Sequence, residues 1–284
     1  MRPARAILCG MSTTVADIVI PFYNRADLLS LCLRALERAA GPELGTVIVV
    51  DDASQPAERA AIDALAPGLK LPLRVVSHAQ NAGFVAAIRT GMDHVTAPHV
   101  VLLNSDTVPT PGFVRDLVGV MRERPEVKAV APISNASSDL FQYRAYAQVA
   151  PGSAAEMLPN IARVCAEARR TQLGKVALAP FLTGMCLALD TAAFRAQGCF
   201  SEHYEHGYFE DLDLCCRLRA AGHALAIRED CFVYHRGQGS YRLLENGRHG
   251  ELMRKNFERY CARWGHLPEH RALLECIERA AMQP

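Results

Sequence analysis

The sequence predicts an α/β fold, a mostly parallel, Rossmann-like central sheet flanked by helices, and three observations predict it. Short β-branched runs alternate with amphipathic helical patterns from residue 16 to about residue 105. Polar and acidic residues recur directly after those runs. The 284 residues, half of them hydrophobic, suffice for one large α/β domain or two closely joined lobes, with ample core.

Taken in order, Asp17 to Pro21 (DIVIP) reads as a buried strand. Leu28, Leu29, Leu31, Cys32 and Leu36 fall at helical spacing, so a helix is expected over 26–39 with Asn24 as its cap. Strands follow at 46–50 (TVIVV), 73–77 (LRVVS) and 99–103 (HVVLL), separated by helices at 57–65 and 84–94. Strands separated by helices pair in parallel through right-handed crossovers. Beyond them come a helix at 113–124 and a strand at 127–132. The polar stretch 134–153 reads as a mobile segment rather than core, since long loops near a site are often lids. Residues 179–189 (APFLTGMCLAL) read as a buried strand with a glycine bend, followed by a helix at 210–221 and a strand at 224–234. Two amphipathic helices, 251–264 and 269–281, end the pattern.

Charge and cysteine usage exclude several classes. With 31 basic and 30 acidic residues the net charge is +1, which offers no generic nucleic-acid surface. None of the ten cysteines forms a C-x-x-C pair, and several sit in apolar runs such as Met185-Cys186-Leu187. That pattern suits reduced, buried cysteines in a cytosolic protein better than disulfides or a zinc site. The apolar stretch Ala6 to Met11 is too short for a signal peptide, and the run Val176 to Leu189 falls short of a membrane span. The expectation is a soluble, cytoplasmic protein.

Parallel strands bring their carboxyl ends to one edge of a sheet, where ligands bind. Phe22-Tyr23-Asn24, Asp51-Asp52, Asn81-Ala82-Gly83 and Asn104-Ser105-Asp106 should therefore converge. Asp51-Asp52 can accept hydrogen bonds from a base or a ribose, or can simply close a turn. Asp106 suits magnesium or manganese beside a phosphate, though Asn104-Ser105-Asp106 also fits an Asx turn before Pro109. Glu210, Asp211 and Asp213 open a helix, where capping and the dipole already favour acids. Asp213 can pair with Arg217 one turn on, leaving Glu210 or Asp211 to face the cleft as a general base. His235, before a Gly-rich turn, is either structural or a second ligand to the Asp106 ion, which would favour manganese. Lys175, Arg195 and Arg236 could each neutralise a diphosphate, and their spacing selects none.

In order and spacing, the segments IVIPFYNR, VIVVDDAS, NAGFVAAIRTGM, VVLLNSDTVPTPGFV, FLTGMCLAL, YFEDLDLCCRLRAAGH, VYHRGQGSY and KNFERYCARWG resemble the family 2 glycosyltransferases. The resemblance runs over roughly residues 16–265 and is strongest to the rhamnosyltransferase-like branch that builds bacterial surface polysaccharides. It implies one GT-A domain over 1–284, with a nucleotide-binding half to about 110, an acceptor half to about 240, and C-terminal helices from about 245. It implies an inverting enzyme that moves a sugar from a dTDP- or UDP-sugar, dTDP-rhamnose among them, to an acceptor hydroxyl on a glycan, a lipid-linked molecule or another carrier. Manganese or magnesium would be the cofactor. By the resemblance Pro21, Tyr23, Asn24, Asp52, Asn81, Gly83, Asn104 and Ser105 line the donor site, with Asp52 reading the pyrimidine. Asp106 would be the metal-binding acid of the DXD motif and His235 its additional ligand. Asp211 would be the catalytic base, with Glu210 and Gly184 beside the sugar and acceptor. Two positions depart from the family pattern, Asn104 at the first DXD position and Arg89 where Asn is commoner.

Two other readings compete. A sugar-nucleotide pyrophosphorylase would carry a Gly-rich basic loop after its first strand, where this chain has PFYNRADLL. A non-catalytic nucleotide-sugar-binding protein would not need Asp211 and His235. Arg254, Lys255, Arg259 and Arg263 among Leu252, Phe257 and Trp264 suggest either peripheral contact with the inner membrane face or, more plainly, a solvated helix packed on the domain.

Overall fold

A computed structural model describes residues 16–136, 141–204, 206–237 and 248–265. The first half alternates β1 (Ala16–Phe22), α1 (Ala26–Ala39), β2 (Leu44–Asp51), α2 (Pro56–Leu65), β3 (Leu73–Ser77), α3 (Phe84–Met92) and β4 (His99–Leu103). The second half adds β5 (Thr107–Pro109), α4 (Phe113–Glu123), β6 (Val127–Ile133), α5 (Ala154–Gln172), β7 (Val176–Leu178) and β8 (Cys186–Asp190). It closes with α6 (Thr191–Ala196), α7 (Glu210–Ala220), β9 (Ala224–His235) and α8 (Arg248–Trp264). The sheet order is β3-β2-β1-β4-β8-β6-β9-β5, with β7 paired to β9.

Successive residues of the central strands point to opposite faces, and both faces are covered. Val19, Ile48, Val50, Val100 and Leu102 join one apolar layer, while Ile18, Ile20, Val47, Val49, Val101 and Leu103 join the other. Two-sided burial explains why these strands read as continuous apolar runs rather than as alternation. Asp17 is the polar exception inside β1, and its carboxylate is satisfied by the backbone N–H groups of Thr46, Thr96 and Ala97 at 2.8–2.9 Å.

Strand β8 is antiparallel to both of its neighbours, β4 and β6. Those neighbours therefore run in the same direction, and the carboxyl ends of β1, β2, β3, β4, β6 and β9 share one edge. The amino end of β8 arrives at that same edge, so the loop carrying Gly184 is delivered to it.

Three expectations are corrected. Residues 179–189 are not one strand: β8 begins only at Cys186, and Phe181 and Leu182 are buried by tertiary packing within a loop. The stretch 134–153 is not surplus to the core, because Gln142, Ala147 and Val149 are buried. Asn24 does not cap α1; its own φ is 55° and its side-chain oxygen accepts from the N–H of Gln55, while the N–H of Ala26 is taken by Glu58 at 2.6 Å. The expected helix at 269–281 and the glycine-rich turn from residue 238 onward lie outside the described residues.

Candidate active site

The two adjacent acids that end β2 do different things. Asp51 accepts from the N–H of Ser54 at 3.0 Å and from Arg59 at 3.3 Å, which is the turn-closing role. Asp52 reaches across to the loop before α3. Its Oδ1 accepts from the N–H of Ala82 and its Oδ2 from the N–H of Gly83, both at 2.8 Å. His78 Nδ1 lies 2.7 Å from the same Oδ1, and the far ring nitrogen of His78 meets Thr90 Oγ1 at 2.9 Å. The side chain of Asn81 donates to the backbone carbonyl of Asp52 at 3.2 Å. Bonds of this kind to a charged acceptor are worth about 1.5–3 kcal/mol each, so Asp52 fixes the shape of the Asn81–Gly83 loop. His78 was not foreseen, because its partners lie 12 and 26 residues away.

Gly83 has φ 90° and ψ 170°, a region open essentially to glycine alone. A Cβ there would stand 2.6 Å from His206 Nδ1 and 2.7 Å from the His206 backbone. The Asn81–Gly83 loop is thereby pressed against His206, the first of four successive residues, 206–209, that all have positive φ. Asn24, Arg25 and Ala53, on the loops after β1 and β2, share that backbone state. Non-glycine residues in this region are concentrated at functional loops when surrounding structure holds them there. Gly83→Ala is expected to cost about 1–3 kcal/mol, measured by urea unfolding.

Register brings Asp106 and His235 together. Thr107 of β5 pairs with His235 of β9, so the residue before Thr107 ends beside the His235 ring. Asp106 Oδ1 lies 3.4 Å from His235 Nε2, and the N–H of Arg236 donates to the Asp106 carbonyl at 3.1 Å. The turn is held by Thr107 Oγ1, which donates to the Asn104 carbonyl at 2.7 Å, and by the Asn104 N–H donating to Met185. Asn104 and Ser105, both half-buried, thus complete a turn and also present Asp106. Asn135 clamps His235 from both sides, accepting its N–H at 2.8 Å and donating to its carbonyl at 2.9 Å. Two cis ligands of one divalent ion sit about 3 Å apart, so the Asp106–His235 pair fits such an ion. Among the described residues no group of three or more His, Cys, Asp or Glu is arranged to hold a metal.

Asp211, the second residue of α7, is held by two backbone donors. Gly184 N–H donates to its Oδ2 at 2.9 Å and Leu212 N–H to its Oδ1 at 2.8 Å. The Gly184 loop is itself set by Gln142, whose side-chain oxygen accepts from Thr183 N–H at 2.6 Å and from its hydroxyl at 2.8 Å. The segment expected to be a lid therefore supports the site. Glu210 is buried beside Asp211, and both burial and the Asp211 charge push its carboxyl well above the ordinary Glu range.

Asp213 pairs with Arg217 at 2.7 Å as its spacing predicts, and it also receives Trp264 Nε1 at 2.8 Å and Arg263 at 3.0 Å. Phe257 and Trp264 pack on the core, and Arg259 donates to the carbonyl of His203, so α8 spends its aromatic residues on the protein itself. Of the three candidate phosphate cations only Arg236 is at this edge. Arg195 instead caps the end of α3 through Met92 and Val95, and Lys175 bonds Gln172. Arg89 is engaged with the Gly198 and Phe200 carbonyls and with Glu202. The described cysteines are all free thiols, most of them buried, and burial pushes Cys32 up to about 12, which leaves it unreactive. Pro21, half-buried, lies opposite Val50, one residue before the β1–β2 pairing ends at Phe22 and Asp51, with Tyr23 following at the same edge.

A curled, mostly parallel sheet that gathers these acids at one edge is the architecture of the GT-A glycosyltransferases. The sequence model of the Glycosyl transferase family 2 matches residues 17–189, and the chain belongs to that family. Over 241 residues it is 28% identical to the pre-mycofactocin glycosyltransferase of Mycobacterium tuberculosis, covering 80% of this chain and 43% of that one. The chain thus spans less than half the length of this curated relative. Among solved structures it is similar to the mannosyltransferase PcManGT from Pyrobaculum calidifontis in complex with GDP-Man and Mn2+, at a TM-score of 0.62 and 20% identity over 92% of this chain and 68% of that one. GalNAc-T7 with UDP, GalNAc and Mn2+ gives 0.66 and 12% over 93% and 54%. S. aureus TarS gives 0.57 and 14% over 88% and 72%. Among the described residues no helix is long and apolar enough to cross a membrane.

Proposed function

We propose that this glycosyltransferase moves a sugar from a nucleotide-diphosphate donor to an acceptor hydroxyl with inversion, Asp211 serving as general base. The observation that carries the reading is the Asp211 carboxylate, fixed by Gly184 and Leu212 at the same sheet edge as the Asp106–His235 pair. A base held rigidly at the mouth of the site can take the acceptor proton as the oxygen attacks C1 from the face opposite the leaving diphosphate. One displacement then inverts the anomeric centre and needs no protein nucleophile.

The half before residue 110 is assigned to the donor, with the Asp52-stapled loop, Pro21, Tyr23 and Asn24 around the nucleotide. Asp106 and His235 would hold manganese or magnesium, which when bound supplies charge neutralisation for the diphosphate. Complexes of PcManGT and GalNAc-T7 that contain Mn2+ support this assignment. A dTDP- or UDP-sugar is the donor class, dTDP-rhamnose included, and a bacterial surface glycan the acceptor class. Asp106→Ala is expected to abolish the manganese-dependent part of UDP binding, read by calorimetric titration with and without the metal. Unchanged titrations would remove Asp106 from that role.

A further inference from the structure

Glu210 is the first residue of α7, only 6% exposed, and its Oε2 is a buried oxygen with no hydrogen-bond partner among the described residues. Within the helix the charges that act on it are those of Asp211 and Asp213, both negative, and from the preceding loop Tyr208 is its titratable neighbour. The cations of α7 itself and Arg263 of α8 are engaged elsewhere: Arg217 and Arg263 bind Asp213, and Arg219 lies over the Phe181 ring. The helix N-terminus favours a charge here, but weakly compared with the loss of water.

Backbone donors decide how two adjacent carboxyls divide their charge. Asp211 receives two N–H groups, from Gly184 and Leu212, and such bonds favour the ionised form. Glu210 receives only its own backbone N–H. Like charges side by side in a shielded position cannot both ionise readily. We propose that Glu210 stands as a neutral carboxylic acid beside an ionised Asp211, so that the pair carries one negative charge and Glu210 is the positioning residue that keeps that charge on the base. This rests on the reading of Asp211 as general base. Ionising Glu210 at alkaline pH would place a second charge against the first and disturb the start of α7, so turnover should fall on the alkaline side.

Glu210→Gln preserves shape and neutrality. It should lose less than about tenfold in turnover at neutral pH, against the 10²- to 10⁴-fold expected for removing a general base, and it should lack the alkaline fall. The sign of the stability change follows from a carboxyl pKa raised on folding. The contribution is fully present in acid and is lost as pH rises above the ordinary Glu range. The wild-type melting temperature should therefore drop over that rise by more than that of Glu210→Gln. Infrared spectroscopy of the ligand-free full chain should show a protonated carboxyl stretch that alkali removes, that Glu210→Gln and Glu210→Ala lack, and that Asp211→Asn retains. Absence of that band at neutral pH, or a Glu210→Gln loss as large as that of Asp211→Asn, overturns the proposal. Full turnover by Asp211→Asn would instead sink the general-base reading and leave the infrared result to stand by itself.

Discussion

Asp211→Asn is expected to cut turnover by about 10²- to 10⁴-fold, or roughly 2.7–5.5 kcal/mol of transition-state stabilisation. Donor binding should stay close to wild type. The substitution is not silent structurally, and the geometry says by how much. Both Asp211 oxygens accept backbone N–H groups, one from Gly184 and one from Leu212. An asparagine can turn its oxygen to only one of them, so its NH2 must face the other donor. Leaving one such group unmet costs about 1–3 kcal/mol of folding stability. Steady-state kinetics, nucleotide titration and urea unfolding on the same preparation separate the two effects. A turnover loss no larger than the stability loss could explain would reject the base assignment.

Asp213→Asn should cost about 3–5 kcal/mol of stability, as expected when one partner of a buried ion pair is removed. Asp213 is fully buried and gathers Arg217, Arg263, Trp264 and, at 3.4 Å, the hydroxyl of Tyr204. With its charge gone, Arg217 keeps only carbonyl partners such as Cys199 at 2.9 Å. The one oxygen that asparagine keeps is neutral and cannot serve both Arg217 and the Trp264–Arg263 pair, so the hold on α8 weakens, while Asn256 bound to the Gly207 carbonyl and Tyr260 packed on Phe209 remain. Trp264 is the only tryptophan in the sequence, so its emission reports this contact directly. A red shift before global unfolding, absent in the wild type, is the expected signature. Unchanged emission and an unchanged urea midpoint would show that α8 is held by its apolar contacts alone.

The sequence made legible what depends on local pattern. Helix α1 and strand β4 fall at the residues their periodicity indicates, because burial on one helix face or on both strand faces leaves a mark every few residues, and the edge strand β3, only partly buried, also falls where its β-branched run indicates. The pairing of Asp213 with Arg217 was legible for the same reason. What stayed hidden depends on partners far away along the chain. Asn135 is 100 residues from His235, Gln142 is 41 from Thr183, and His78 is 26 from Asp52. No window of sequence contains both members of such a pair. The apolar run at 179–185 misled for a related reason, since Phe181 and Leu182 are buried by neighbours rather than by a ladder. Asp52 was legible as a site acid, but that its carboxylate is occupied by Ala82, Gly83 and His78 was not.

The reversed entry of β8 has a bearing on how such a protein can diversify. The chain leaves the reactive edge after β6 at Ile133 and returns to it before Cys186, so the whole excursion begins and ends at the rim. Lengthening the described stretch between Gln142 and α5 would leave the register of the strands on either side unchanged. Each doubling of a loop costs only about 0.6 kcal/mol in closure entropy. Provided the Asn135 and Gln142 clamps are kept, the excursion can vary in length while the loops after β1 and β2, anchored on the far strands, stay untouched.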